Sequence, residues 1–209
     1  MPPLAGWTLT ITEAVEVVEQ NVPALNDVMS LLVSDFFIPV VICLIMLGLW
    51  VGHPDPARRE YLQRHIMNAS VAIGISTLVV TIINVHHFWP RPFDPALPDT
   101  IIQQSAYLAS DTIFYHTHDP TFPSNGATIS FAAATGIWLG HRKAGMLIYF
   151  LAFLWCFARF YGGVHFFVDI ITGAFIGVLT ALLISKVFMP RTEPCPTWAL
   201  NACRFLYIA

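Results

Sequence analysis

Five stretches of this chain carry no charged residue: Phe36–Gly52, Ile66–Val85, Ser124–Gly140, Ala144–Ala158 and Ile170–Ser185. Each is near the roughly 17–25 residues that a helix needs to cross a bilayer, the shorter ones once their flanks are included. Lipid offers no partners to backbone N–H and C=O groups, so these runs are predicted as helices and not strands. Ahead of them, Leu25, Val28, Met29 and Leu32 fall on one helical face. Thr10 and Glu13 form a candidate capping box before a short helix that Pro23 would end. The pattern predicts an all-α, polytopic membrane helix bundle with about five transmembrane helices and an amphipathic N-terminal helix at the interface.

Composition agrees with that pattern. Of 209 residues, 56% are hydrophobic and 11% charged, where a soluble domain carries about 25% charged residues. The expectation is one membrane domain: an interfacial segment over 1–35, a helical core over 36–188 and a cytoplasmic tail over 189–209. The first twenty residues lack a basic stretch and an apolar core, so they are not read as a cleavable signal. Cys43 and Cys156 lie inside apolar runs and Cys195 and Cys203 in the tail, a distribution that implies neither a zinc site nor a structural disulfide. With ten basic against thirteen acidic residues, nucleic acid is not an expected partner.

The basic residues also set the sidedness. Arg58, Arg59 and Arg64 follow the first span, Arg142 and Lys143 fill the turn after the third, and Lys186, Arg191 and Arg204 follow the last. Five spans put all of these on one side, which the positive-inside bias makes cytoplasmic. The opposite face holds the acidic N-terminal segment, including Asp35, and only two basic residues, Arg91 and Arg159. A single interfacial arginine is commonly a snorkelling side chain; two such exceptions beside other reactive groups point to a site.

Three segments on that face carry the chemistry. Asn84 to Phe93 leaves the second span, Phe122-Pro-Ser124-Asn125-Gly126 enters the third, and Ala158-Arg159 through His165 to Asp169 joins the fourth to the fifth. Ser124 and Asn125 are good helix caps, and the free N–H groups behind them make an anion site. Arg91 and Arg159 would add two fixed positive charges whose planar forks suit phosphate. Gly162-Gly163 permits a tight turn back to the site. His165 and Asp169, four residues apart, are expected to share a face of the fifth helix, and together the groups suit phosphoryl transfer through a histidine nucleophile oriented by an aspartate. Each motif alone has a plain structural reading, as a loop, a cap or a helix hydrogen bond.

On these residues the chain resembles the type 2 phosphatidic acid phosphatases, whose signature has the parts K-x6-R-P, P-S-G-H and S-R-x5-H-x3-D. Arg91-Pro92 matches the end of the first, Pro123-Ser124 the start of the second, and Arg159, His165 and Asp169 the third, with Ala158 for its serine. The likeness covers about residues 21–188 and makes 36–188 a phosphatase-like core. Within the family the chain is similar to short bacterial undecaprenyl-diphosphatase members. The resemblance implies His165 and Asp169 as catalytic residues and Arg91, Ser124, Asn125, Gly126, Arg159 and Asn84 around the substrate phosphate. It implies no cofactor, a membrane lipid (polyprenyl diphosphate or phospholipid phosphate) as partner, and a place in the bacterial cytoplasmic membrane. The basic residues put the active-site loops outside and the C-terminus in the cytoplasm, and no carboxylate or histidine cluster has the spacing of a metal site.

Two departures from the signature bear on its chemistry. Asn84 stands in place of the lysine, and Gly126 in place of the histidine that would protonate the leaving group. Loss of such an acid costs about 10²–10⁴-fold for a poor leaving group. His118 or His116 would be the nearest substitutes. Two functions stay open on sequence: a lipid diphosphate phosphatase, or a catalytically inactive relative that binds a lipid headgroup or serves as a subunit of a membrane assembly with protein partners.

Overall fold

The computed structural model describes residues 21–86, 89–92 and 120–206, with Val15, Val17 and Val18. Pro23 starts a helix. It occupies the first turn of α1, Pro23–Leu32, where a missing N–H costs nothing. Leu25, Met29 and Leu32 turn inward, but Val28 is 51% exposed, so the apolar face is narrower than the sequence pattern implied. The candidate capping box at Thr10 and Glu13 lies outside the described residues.

A break at residues 33–36 separates α1 from α2, Phe37–Val51, and the two helices meet at 55°. Asp55 then caps α3, Pro56–His86, its carboxylate accepting from the N–H groups of Ala57 and Arg58 at 3.3 and 3.1 Å. At 31 residues, α3 is about 46 Å long at 1.5 Å per residue. After it come α4, Asn125–Gly140, α5, Arg142–Tyr161, and α6, Phe167–Leu183. A wider helical turn over Ile184–Phe188 continues α6 to Arg191, and α7, Cys195–Phe205, follows.

Among the described residues three helical stretches, Pro56–His86, Arg142–Tyr161 and Phe167–Arg191, are long and apolar enough to cross a membrane, and the bent α1–α2 pair makes a fourth if it counts as one span. The protein is an all-α membrane helix bundle. Its outward surface carries Leu44, Leu47, Phe150, Phe153 and Phe175, all more than half exposed, as a lipid-facing surface requires.

The span expected at Ser124–Gly140 is the inner helix. Only 16 residues long, α4 packs on α3, α5 and α6 and is buried along nearly its whole length. Small side chains make this possible. A Cβ on Gly173 would lie 2.3 Å from the Ser124 carbonyl oxygen, and one on Gly177 would lie 2.2 Å from that of Thr128. The Gly173-x-x-x-Gly177 stripe therefore lets the backbones of α6 and α4 touch. Thr128 locks the contact, its hydroxyl donating to the carbonyls of Ser124 and Gly173 at 2.9 and 3.0 Å.

The helices alternate in direction, so the basic clusters gather at one end of the bundle. There Arg64 pairs with Glu60 and Glu193, Arg204 pairs with Glu60, and Arg58 donates to the Gly140 carbonyl. Arg204 to Glu60, with Arg64 donating to the Thr197 hydroxyl at 3.0 Å, docks α7 on α3 within the segment expected as a tail. Arg91, Ser124, Arg159 and His165 lie at the opposite end.

Candidate active site

Ser124 caps α4 as its residue type predicts. Its backbone is extended, and its Oγ accepts from the Ala127 N–H at 3.4 Å. The Ser124 N–H donates in turn to the Asp169 carbonyl at 3.1 Å, so the α4–α6 contact sets the second motif against the third. Arg91 reaches the same place from the end of α3, donating to the carbonyl of Val164 at 3.1 Å. Gly163, with φ of 66°, reverses the chain after α5 as the paired glycines suggested.

His165 precedes α6 and does not lie on it, contrary to the helical spacing expected for the His165–Asp169 pair. Phe166 caps the helix, and the Asp169 carboxylate accepts its N–H at 2.8 Å. His165 Nδ1 stands 3.8 Å from Asp169 Oδ2, beyond hydrogen-bond reach. Thr121 bridges the gap. Its hydroxyl donates to Asp169 Oδ2 at 2.6 Å and lies 3.1 Å from His165 Nδ1, while its carbonyl lies 3.0 Å from the same nitrogen.

A carbonyl can only accept, so Nδ1 carries the proton and Nε2 keeps its lone pair. Arg159 Nη2 approaches that lone pair at 3.2 Å. Burial pushes the His165 pKa well below the usual imidazole range, and the charges of Arg159 and Arg91 push it further down. The imidazole is neutral at physiological pH, which is the form that can attack.

Arg159 makes a second contact with its other terminal nitrogen, an ion pair to Asp35 in the α1–α2 break. Its guanidinium also lies 5.4 Å from the centre of the Trp155 ring. The charges are deeply placed: Arg91, Thr121, Ser124, Arg159, His165 and Asp169 are each no more than 5% exposed. Charge at such depth in a membrane protein is costly and usually serves binding or reaction.

A sequence model of the PAP2 superfamily matches residues 65–193, more than half of the chain. The chain belongs to the PAP2 superfamily. Among curated proteins it is 29% identical over 119 residues to the bacitracin transport permease protein BcrC of Bacillus licheniformis, covering 57% of this chain and 53% of that protein. It is 25% identical over 158 residues to the undecaprenyl-diphosphatase BcrC of Bacillus subtilis, covering 75% and 72%. Among solved structures, the transmembrane PAP2-type phosphatidylglycerolphosphate phosphatase of Bacillus subtilis shares the fold with a TM-score of 0.59 at 19% identity, over 93% of this chain and 90% of that one. LpxE of Aquifex aeolicus does so with 0.56 at 23%, over 85% and 94%.

In this PAP2 protein the expected residues Arg91, Ser124, Arg159, His165 and Asp169 are joined by the contacts above. Asn125 begins α4 and Asn84 lies in the last turn of α3; the buried Oδ1 of each has no hydrogen-bond partner among the described residues. His116 and His118 lie outside the described residues. At Gly126, a Cβ would stand 3.1–3.4 Å from three ring carbons of Trp155. The indole fills the space beside Gly126, and its N–H donates to the Ser34 carbonyl at 3.1 Å.

The sequence reading missed Asp35, Thr121 and Trp155. For Asp35 a signal existed: it is an acidic residue at the end of a charge-free run, on the face with two unmatched arginines. Thr121 and Trp155 carry no such mark, since nothing in a lone threonine or tryptophan says which side chain it will meet.

Proposed function

We propose that this PAP2 protein hydrolyses a lipid diphosphate, with His165 as nucleophile. The observation that carries the reading is the state of its imidazole: neutral, with Nδ1–H held by Thr121 and the Nε2 lone pair beside Arg159. Nε2 attacks the terminal phosphorus, the bond to the bridging oxygen breaks, and its electron pair leaves with the lipid monophosphate. Arg91, Arg159 and the N–H groups at the start of α4 take up the charge on the transferring phosphoryl group. Positive charge grows on the imidazole as the P–N bond forms, and the Asp169 carboxylate stabilises it through the Thr121 hydroxyl. Water then displaces His165 from phosphorus, releasing phosphate and returning the lone pair to Nε2.

Gly126 directs the choice of substrate. A phosphate monoester expels an alkoxide whose conjugate acid is nearly as weak as water, with pKa about 15.7. A diphosphate expels a phosphate monoester, whose second pKa is about 6, and needs no donated proton. A polyprenyl diphosphate meets this requirement and suits a site at the end of a membrane bundle. The positive-inside bias supports a cytoplasmic-membrane orientation with this site outside.

The second reading is a non-catalytic lipid-headgroup binder or assembly subunit. It draws on Gly126 and Trp155, which replace the acid with packed ring, while the anion-binding groups stay in place. Phosphate release from polyprenyl diphosphate and from phosphatidic acid separates the two. The native chain should turn over the diphosphate with little activity on phosphatidic acid, and His165→Ala should abolish release. Gly126→His alone meets the indole and should not help; Gly126→His with Trp155→Ala should raise phosphatidic acid hydrolysis. A native chain inert on both lipids leaves the binding reading in possession.

A further inference from the structure

The active-site arrangement is closed. Arg159 Nη2 stands 3.2 Å from His165 Nε2, where the phosphorus of a substrate has to come. The other terminal nitrogen of Arg159 is held by Asp35. A headgroup can reach Nε2 only if the guanidinium withdraws and exchanges carboxylate oxygen for phosphoryl oxygen. Asp35 differs from the rest of the cluster in being 40% exposed, and it sits on the break where α1 and α2 meet at 55°.

That break is fastened to α5 by side chains along one edge. The Tyr161 hydroxyl donates to Asn26 Oδ1 at 2.5 Å, the Trp155 N–H donates to the Ser34 carbonyl, and Asp35 pairs with Arg159. All three attach to the helix that ends in the phosphate-binding arginine. Asp35 lies on this elbow, so a shift of the elbow against α5 would move Asp35 together with the Trp155 and Tyr161 contacts.

We propose that Asp35 is a built-in competitor for the phosphate pocket and the residue that sets which headgroups enter it. The inference rests on the phosphate-site reading above. With the pocket empty, the carboxylate neutralises Arg159 and keeps the guanidinium over the nucleophile. An arriving headgroup must outbid the Asp35 carboxylate for that arginine. A phosphate monoester brings about −1.5 to −2 at neutral pH, and a diphosphate brings more, so the latch filters for headgroup charge. Asp35 thereby adds a second discrimination to the one made by the leaving group, and it acts at binding and not in the chemical step.

The test uses the full chain in detergent micelles, with inorganic phosphate as probe and calorimetric titration as readout. Asp35→Asn keeps the shape and removes the charge. It should bind phosphate about tenfold more tightly, the gain expected if the latched form makes up about nine-tenths of the native protein. Asp35→Ala should do the same. Tyr161→Phe, which loosens the elbow from its other end, should shift binding in the same direction by less. Asp27→Asn, an exposed change on α1, should leave binding unaltered. On lipids, Asp35→Asn should lower KM for phosphatidic acid more than for polyprenyl diphosphate, with kcat little changed.

Weaker phosphate binding in Asp35→Asn would overturn the proposal and make Asp35 a brace for Arg159. Unchanged binding in both Asp35 variants would also overturn it. Phosphate titration needs no turnover, so a chain inert on every lipid would defeat the phosphatase reading and still leave the latch measurable. An active chain with weakened Asp35→Asn binding would defeat the latch alone.

Discussion

Thr121 turns two side chains that do not touch into one working unit. It offers His165 a carbonyl and a hydroxyl oxygen at once, and it offers Asp169 a proton. Thr121→Val keeps the carbonyl and removes the hydroxyl. Hydrogen bonds to charged groups are worth about 1.5–3 kcal/mol, so kcat should fall roughly ten- to hundredfold with KM little changed. Thr121→Ser should restore most of the loss, and an equal loss in both variants would mean that Thr121 only packs. His165 also ties stability to pH. Its native pKa lies below the unfolded value of about 6.5, so the unfolded chain binds more protons in that window. Stability is full above about pH 6.5 and declines as pH falls from there through the native pKa. The thermal midpoint should drop between pH 7.5 and 5.5, and His165→Gln should flatten part of that slope. A midpoint equally pH-dependent in both proteins would deny His165 this role.

At the level of elements, the helices were readable where a single physical demand governs them. A charge-free run of membrane length has few alternatives, and α2 to α6 fall where such runs lie. The site was readable as far as formal charge and motif spacing reach, which covers Arg91, Arg159, His165, Asp169 and the Ser124 cap. What stayed hidden depends on how helices meet. The His165–Asp169 spacing suggested a helical pair because spacing cannot show that α6 starts two residues after His165. Nor could it show that α4 would be the inner helix, a role fixed by Gly173 and Gly177. Gly173→Ala tests that contact: with a Cβ 2.3 Å from the Ser124 carbonyl oxygen, α6 must shift. Overpacking of this kind costs about 1–3 kcal/mol, seen as a lower thermal midpoint. Because Ser124 N–H donates to the Asp169 carbonyl at 3.1 Å, phosphate affinity should fall as well. Unaltered affinity alongside a lowered midpoint would separate helix packing from the site.

Over the whole molecule, ionic groups divide between the two ends of the bundle with different energetics. At the end away from the site, Arg64 and Glu193 are 33% and 44% exposed. Such surface pairs contribute about 0–1 kcal/mol, so Arg64→Ala should cost little stability and leave kcat and phosphate affinity intact; a large loss of activity would reveal coupling along α3. At the site end, charge is buried and its partners come from distant parts of the chain. Asp35 and Arg159 are 124 residues apart, Arg91 and Val164 are 73 apart, and Thr121 and Asp169 are 48 apart. This bears on how the protein is made. A ribosome feeds these segments into the membrane in order, so Asp35 and Arg91 arrive long before the residues that neutralise or bind them. Until α5 and α6 are threaded, the growing chain holds polar groups whose partners have not yet been made. A nascent chain stopped after α5 therefore contains Arg159 but neither His165 nor Asp169, and it presents membrane-quality surveillance with an unfinished charge pattern.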